Sequence, residues 1–132
     1  MNKFNKNRSH FNKYGYCIIN SFFSKKEIIN LDKKVESFIK KKSNKLKGKN
    51  INFTKNKSIN TVHDVDKFES FFKKFALRKK NLDLAGFFLD SKPEFRKCEI
   101  FSKPAKTGLP APLHQDNFLW ALKNNNGITF WI

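Results

Sequence analysis

Between residues 104 and 112 the chain carries three prolines, Pro104, Pro110 and Pro112, together with Gly108. A proline ring fixes φ at about −65° and removes a backbone donor, so no helix runs through this stretch and few backbone routes lead out of it. From Ile28 to Leu89 apolar residues recur mostly at helical spacing; from Glu94 onward, on both sides of the prolines, they read as strands. Helices and strands in separate runs are the pattern of an α+β fold. A length of 132 residues suits one domain with a modest core.

The helical half has a clear start. Ser24 followed by Glu27 is a capping box, and Phe23 and Ile28 are spaced as a hydrophobic staple. Ile28, Leu31, Val35, Phe38 and Ile39 then form one apolar stripe that fades near Lys42. Packing against a sheet is the reading we favour for it; a partner-binding helix is the other. Asp66, with Glu69 three residues on, reads as the cap of a second helix. Its apolar face is Phe68, Phe71, Phe72 and Phe75, and we expect core burial there rather than an aromatic stacking platform. Leu82 to Leu89 continues as helix until Asp90-Ser91-Lys92-Pro93 stops it. Residues 1–13 are polar and basic and read as loosely ordered; Tyr14 to Asn20 reads as a short strand. Lys40 to Lys57 holds eight lysines and no acid, so 43–60 reads as a flexible, solvated loop.

Charge raises a second class of function. There are 28 basic residues against 11 acidic ones, a net charge of +17. Such a balance invites a basic module bound to nucleic acid. Yet only Arg8, Arg78 and Arg96 are arginines, and arginine dominates base and bidentate phosphate recognition. We read the lysines as a solvated surface and expect no specific nucleic-acid partner. No apolar run reaches the roughly 18 residues of a membrane span, and Met1 to His10 lacks the apolar core of a secretory signal. Cys17 and Cys98 match no metal spacing and read as reduced thiols, which suits a cytoplasmic protein.

The strand-like half carries the chemistry. Glu94 to Phe101 is one expected strand, and Leu113 to Leu122 and Gly127 to Ile132 form a hairpin across the Asn124-Asn125-Asn126-Gly127 turn. Residues two apart on a strand share a face, so His114 and Asp116 would converge while Gln115 points away. A neutral imidazole nitrogen and a carboxylate oxygen are two of the three protein ligands in the facial triad of non-haem Fe(II). Spacing alone leaves a surface His and Asp near a turn as the blander reading. His63-Asp64-Val65-Asp66 offers a rival cluster, but the cap role of Asp66 argues against a metal there.

Glu99 to Trp120 and Asn125 to Ile132, with the opening Tyr14 to Ser24, resemble the phytanoyl-CoA dioxygenase family of Fe(II)/2-oxoglutarate oxygenases. The resemblance rests on Lys103-Pro104, the proline-rich loop, His114-Gln115-Asp116 and the Thr129-Phe130-Trp131-Ile132 strand. It implies helices packed on the first strands of an incomplete double-stranded β-helix, or jelly roll. It implies hydroxylation of a small organic molecule with O2, giving succinate and CO2. His114 and Asp116 would be metal ligands, and Lys103 and Trp131 would contact the co-substrate, with a core Trp the other reading for Trp131. Asn117, Phe118 and Trp120 would line the entrance. The family's distal metal histidine and co-substrate arginine fall later than Ile132, and His10 and His63 match no family position. Residues 1–132 therefore read as the N-terminal part of an oxygenase, inactive alone: a fragment, a decayed gene product or half of a split protein needing a C-terminal partner segment. A non-catalytic relative and a basic binding module are the alternatives.

Overall fold

The computed structural model describes residues 2–42, 46, 48–122 and 126–132. They form two compact units that divide at Lys34 and Val35. The elements in chain order are α1 (Asn5–Tyr14), α2 (Lys25–Lys42), β1 (Ile51–Phe53), β2 (Ile59–Val62), α3 (Val65–Phe68), α4 (Ser70–Ala76), α5 (Lys79–Leu89), β3 (Ile100–Phe101) and α6 (Asp116–Trp120). The class is α+β, with one antiparallel sheet in the order β1-β2-β3. Among the described residues no helix is long and apolar enough to cross a membrane.

In the first unit, α1 occupies residues that composition left without a regular element. It closes at Gly15, whose N–H donates to the Phe11 carbonyl at 2.7 Å from a left-handed φ of 78°. Glycine is the residue that adopts that conformation without a Cβ penalty. The strand expected over Tyr14 to Asn20 does not form. A strand needs a neighbouring backbone, and here the Ile18 carbonyl is taken by the Asn7 side chain at 2.9 Å. The capping box is present: the Ser24 N–H donates to Glu27 Oε2 at 2.8 Å, and the Glu27 N–H to Ser24 Oγ at 3.3 Å. The stripe behind it is buried unevenly. Ile28 is 40% exposed, whereas Phe38 is buried.

The second unit holds the core: Phe38, Ile51, Val62, Val65, Phe72, Phe75, Leu84 and Ile100. Phe38 meets Phe72 edge-on at 5.8 Å, so the end of the stripe that falls in this unit touches a helix where a sheet was expected. The aromatic face of the second predicted helix is interrupted. Glu69 is extended, with φ −141°, and separates α3 from α4. The break turns Phe68 outward while Phe72 and Phe75 stay buried. α5 forms as expected and ends at Asp90, in the left-handed conformation.

Three other expectations are corrected. The lysine-rich stretch is not wholly a loop: its Ile51 is buried and pairs with Val62, making β1, although residues 43–45 and 47 lie outside the described residues. Asp66 is not the cap of the helix. Asp64 occupies that position, and Asp66 accepts the Cys98 N–H at 2.7 Å. That bond, with the Val65 N–H to the Cys98 carbonyl at 3.0 Å, ties residue 98 to the start of α3. The strand expected over Glu94 to Phe101 is thereby limited to Ile100–Phe101. Finally, no strand spans Leu113 to Leu122 or 127–132; the former contains α6, and part of the expected turn, 124–125, lies outside the described residues.

The faces of the sheet have separate tasks. Ile51, Val62 and Ile100 point to the core, whereas Asn52, Thr61 and Phe101 share the other face. From β2, Asn60 holds both ends of the proline loop: its carbonyl accepts the Ser102 N–H at 2.9 Å, and its Oδ1 accepts the Leu109 N–H at 3.0 Å.

Candidate metal centre

The loop leaves β3 through a turn in which the Thr107 and Gly108 N–H groups donate to the Pro104 carbonyl. A Cβ on Gly108 would meet that carbonyl oxygen at 3.0 Å and the Lys103 carbonyl carbon at 3.1 Å, so any larger residue would crowd the backbone of the turn. The chain then runs past Pro112 and turns into α6. Asp116 stands in the first turn of that helix, where the dipole favours a carboxylate.

The two residues predicted to converge do so, on a different backbone. His114 precedes α6 and Asp116 opens it, and His114 Nε2 lies 3.4 Å from Asp116 Oδ1. The remaining polar atom of each is engaged. His114 Nδ1 is 2.7 Å from the Pro112 carbonyl, which makes Nδ1 the donor and turns Nε2 toward the carboxylate. Thr129 Oγ1 donates to Asp116 Oδ2 at 3.1 Å. Both side chains are open to solvent, at 42% and 46% exposure. Nε2 and Oδ1 thus form a two-point donor set of the kind a divalent cation accepts.

The other predicted site residues are mostly exposed. Trp131 is 76% exposed with its ring 5.3 Å from that of Phe101, so it is not a core residue. Lys103 is exposed at the head of the proline loop with a left-handed φ of 34°. Phe118 is 87% exposed, and the side chain of Asn117 lies outside the described residues. Trp120 is held by Arg96, which donates to its carbonyl at 3.2 Å and stands 5.7 Å from its ring. Sequence reasoning gave no role to Arg96 or Thr129. The second sits two residues before Trp131 within a motif already singled out, which was the available signal.

The rival cluster is otherwise engaged. His63 Nδ1 hydrogen-bonds Glu99 Oε1, and His63 Nε2 is 3.2 Å from Asn52 Nδ2. Lys97 donates to the same Glu99 oxygen at 2.8 Å. Burial raises the Glu99 carboxyl pKa, but the hydrogen bonds from Lys97 and His63 and their charges outweigh it, holding the group below the usual carboxylate range. Asp64 pairs with Lys67 at 3.2 Å. His10, in the first unit, makes a tilted ring contact with Tyr14 and an edge-on one with Tyr16. Among the described residues no three His, Cys, Asp or Glu side chains are grouped to hold a metal.

Searches of curated proteins and of solved structures each returned no match. The family model for phytanoyl-CoA dioxygenase matches residues 11–132, nearly the whole chain and all of the segment that carries His114 and Asp116. The chain belongs to the phytanoyl-CoA dioxygenase family.

Proposed function

We propose that this chain carries two protein ligands of an Fe(II)/2-oxoglutarate dioxygenase centre, His114 through Nε2 and Asp116 through Oδ1. The observation that supports the reading is the 3.4 Å approach of those two atoms, with Nδ1 and Oδ2 each occupied by another partner. The donor chemistry suits the group: one neutral nitrogen and one anionic oxygen are two of the three facial ligands of non-haem iron. Bound iron, with 2-oxoglutarate as co-substrate, supplies the oxidising chemistry that hydroxylates a small organic molecule and releases succinate and CO2. Trp131 and Lys103 are the residues we assign to the co-substrate. β1, β2 and β3 would be the first strands of the jelly roll that the family implies.

Two ligands hold a cation less firmly than three. His63 cannot join without leaving Glu99 and Asn52, so this proposal does not assign it as the third ligand. The test has two parts. Co(II) should bind the 132-residue chain weakly, and His114→Ala or Asp116→Ala should weaken it at least about tenfold. Fe(II)-dependent CO2 release from labelled 2-oxoglutarate should be absent from this chain alone. It should appear when a segment bearing the distal His and an Arg is joined, and vanish again in either variant. Co(II) binding indifferent to both substitutions would remove the motif from the metal.

A further inference from the structure

We infer that Thr129 is a positioning residue for Asp116, selecting which carboxylate oxygen faces the cation; the inference rests on the metal reading above. The two oxygens of Asp116 have different surroundings. Oδ2 accepts the Thr129 hydroxyl at 3.1 Å, and Oδ1 faces His114 Nε2 at 3.4 Å. An aspartate carboxyl rotates over a broad range about its last torsion, so an unheld group presents either oxygen, or both, to a cation. A donor fixed on one oxygen ends that freedom and leaves the other for ligation.

A hydroxyl has the right chemistry for the task. It donates one hydrogen bond and carries no charge, so it orients the carboxylate without neutralising the anion the metal needs. A lysine in its place would compete with the cation for the same charge. The β-branched side chain is stiff about χ1, so few rotamers carry the hydroxyl away from its partner. Its anchorage also differs from that of Asp116. Two residues beyond Thr129, the Trp131 ring rests on Phe101 of β3, so the hydroxyl is referred to the sheet while the carboxylate belongs to α6. The contact therefore fixes the motif helix against an element outside it.

The experiment is a Co(II) titration of the 132-residue chain, read by visible absorption, in the unaltered protein and in T129V, T129S and H114A. Thermal unfolding of each variant accompanies it. T129V keeps the shape and loses the donor. We expect it to weaken Co(II) binding about tenfold, the lower end of the range for such outer contacts because this one is exposed. The Co(II) bands should shift as the carboxylate loses its fixed orientation. T129S restores the hydroxyl and should recover affinity and spectrum, with the unfolding midpoints of all Thr129 variants unchanged. Should T129V fail to fold, T129A makes the same comparison. Binding in T129V equal to the unaltered chain, while H114A loses it, would overturn the role of Thr129 and leave the metal site standing. A T129V defect that T129S does not rescue would overturn it as well, since packing rather than the donor would be responsible. Absence of any His114-dependent Co(II) signal would overturn both the inference and the site.

Discussion

Two histidine–carboxylate pairs stand among the described residues, and they are built for different ends. His63 and Glu99 sit beside the sheet with every near partner assigned: Glu99 on Nδ1, Asn52 near Nε2, Lys97 on the shared oxygen. His114 and Asp116 stand in the open, each with one polar atom held and the other turned toward its mate. A satisfied pair stabilises; a pair satisfied on one side only retains chemical capacity. The difference arises from surroundings, since sequence spacing marked both His63 and His114 as possible ligands. It lies in what the neighbouring strands supply: β1 brings Asn52 to His63, whereas the carboxylate of Asp116 is the group that meets His114 Nε2.

The sharpest way to break the comparison is through the regions that carry the two pairs. Phe75, buried in the second unit, should cost about 3–5 kcal/mol when replaced by Ala, because a large cavity opens in a packed core. Phe118, 87% exposed beside the open pair, should change stability by less than about 0.5 kcal/mol under the same substitution. Chemical denaturation of the two variants checks both. Comparable losses would mean that the motif segment is packed after all.

A smaller effect separates the pairs by pH. The depressed pKa of Glu99 means that the unfolded chain binds this proton more readily than the folded one. Its contribution to stability is thus present above the ordinary carboxylate pKa, about 4.5, and is lost as pH falls through the lower folded value. Glu99→Gln should flatten that part of the acid-denaturation profile and leave Co(II) binding at His114 as it was. A profile identical to that of the unaltered chain would show that Lys97 and His63 do not favour the carboxylate in solution.

The smallest effect concerns the helix that carries Asp116. Arg96→Ala removes the donor to the Trp120 carbonyl and the cation above its ring. Because the contact is exposed, global stability should fall by no more than about 1 kcal/mol. Amide exchange at Phe118, whose N–H donates to the Gln115 carbonyl, should nevertheless quicken as α6 frays. Unchanged exchange would show that α6 stands without Arg96.

How much the sequence disclosed depends on the range of the interactions. Ser24 and Glu27 are three residues apart and bond to each other, so the start of α2 was legible from local chemistry. Phe72 and Phe75 were legible as core because a helix sets their direction over one turn. Glu69 broke that helix and exposed Phe68, which periodicity alone does not register. β1 was hidden in the lysine run because its reason for existing, the pairing with β2, lies outside the run. His114 and Asp116 were legible as a pair, but strand alternation was the wrong route to their convergence. The helix start at Asp116 and the Pro112 carbonyl bring them together instead. Thr129 and Arg96 act across 13 and 24 residues, and no local rule reaches that far.

Lys103, Lys106 and Ala121, on either side of the motif, hold φ at 34°, 64° and 51°, a region that residues with a Cβ enter at a cost of about 1–2 kcal/mol each. For protein engineering this marks where the segment can be improved without touching a ligand. Glycine at 106 or 121 would remove that strain and give back about 0.4–1 kcal/mol through a freer unfolded chain. The balance favours the folded state. A chain intended for metal titration could gain a sturdier motif segment from Lys106→Gly or Ala121→Gly, two changes that no consideration of contacts or charge would have suggested.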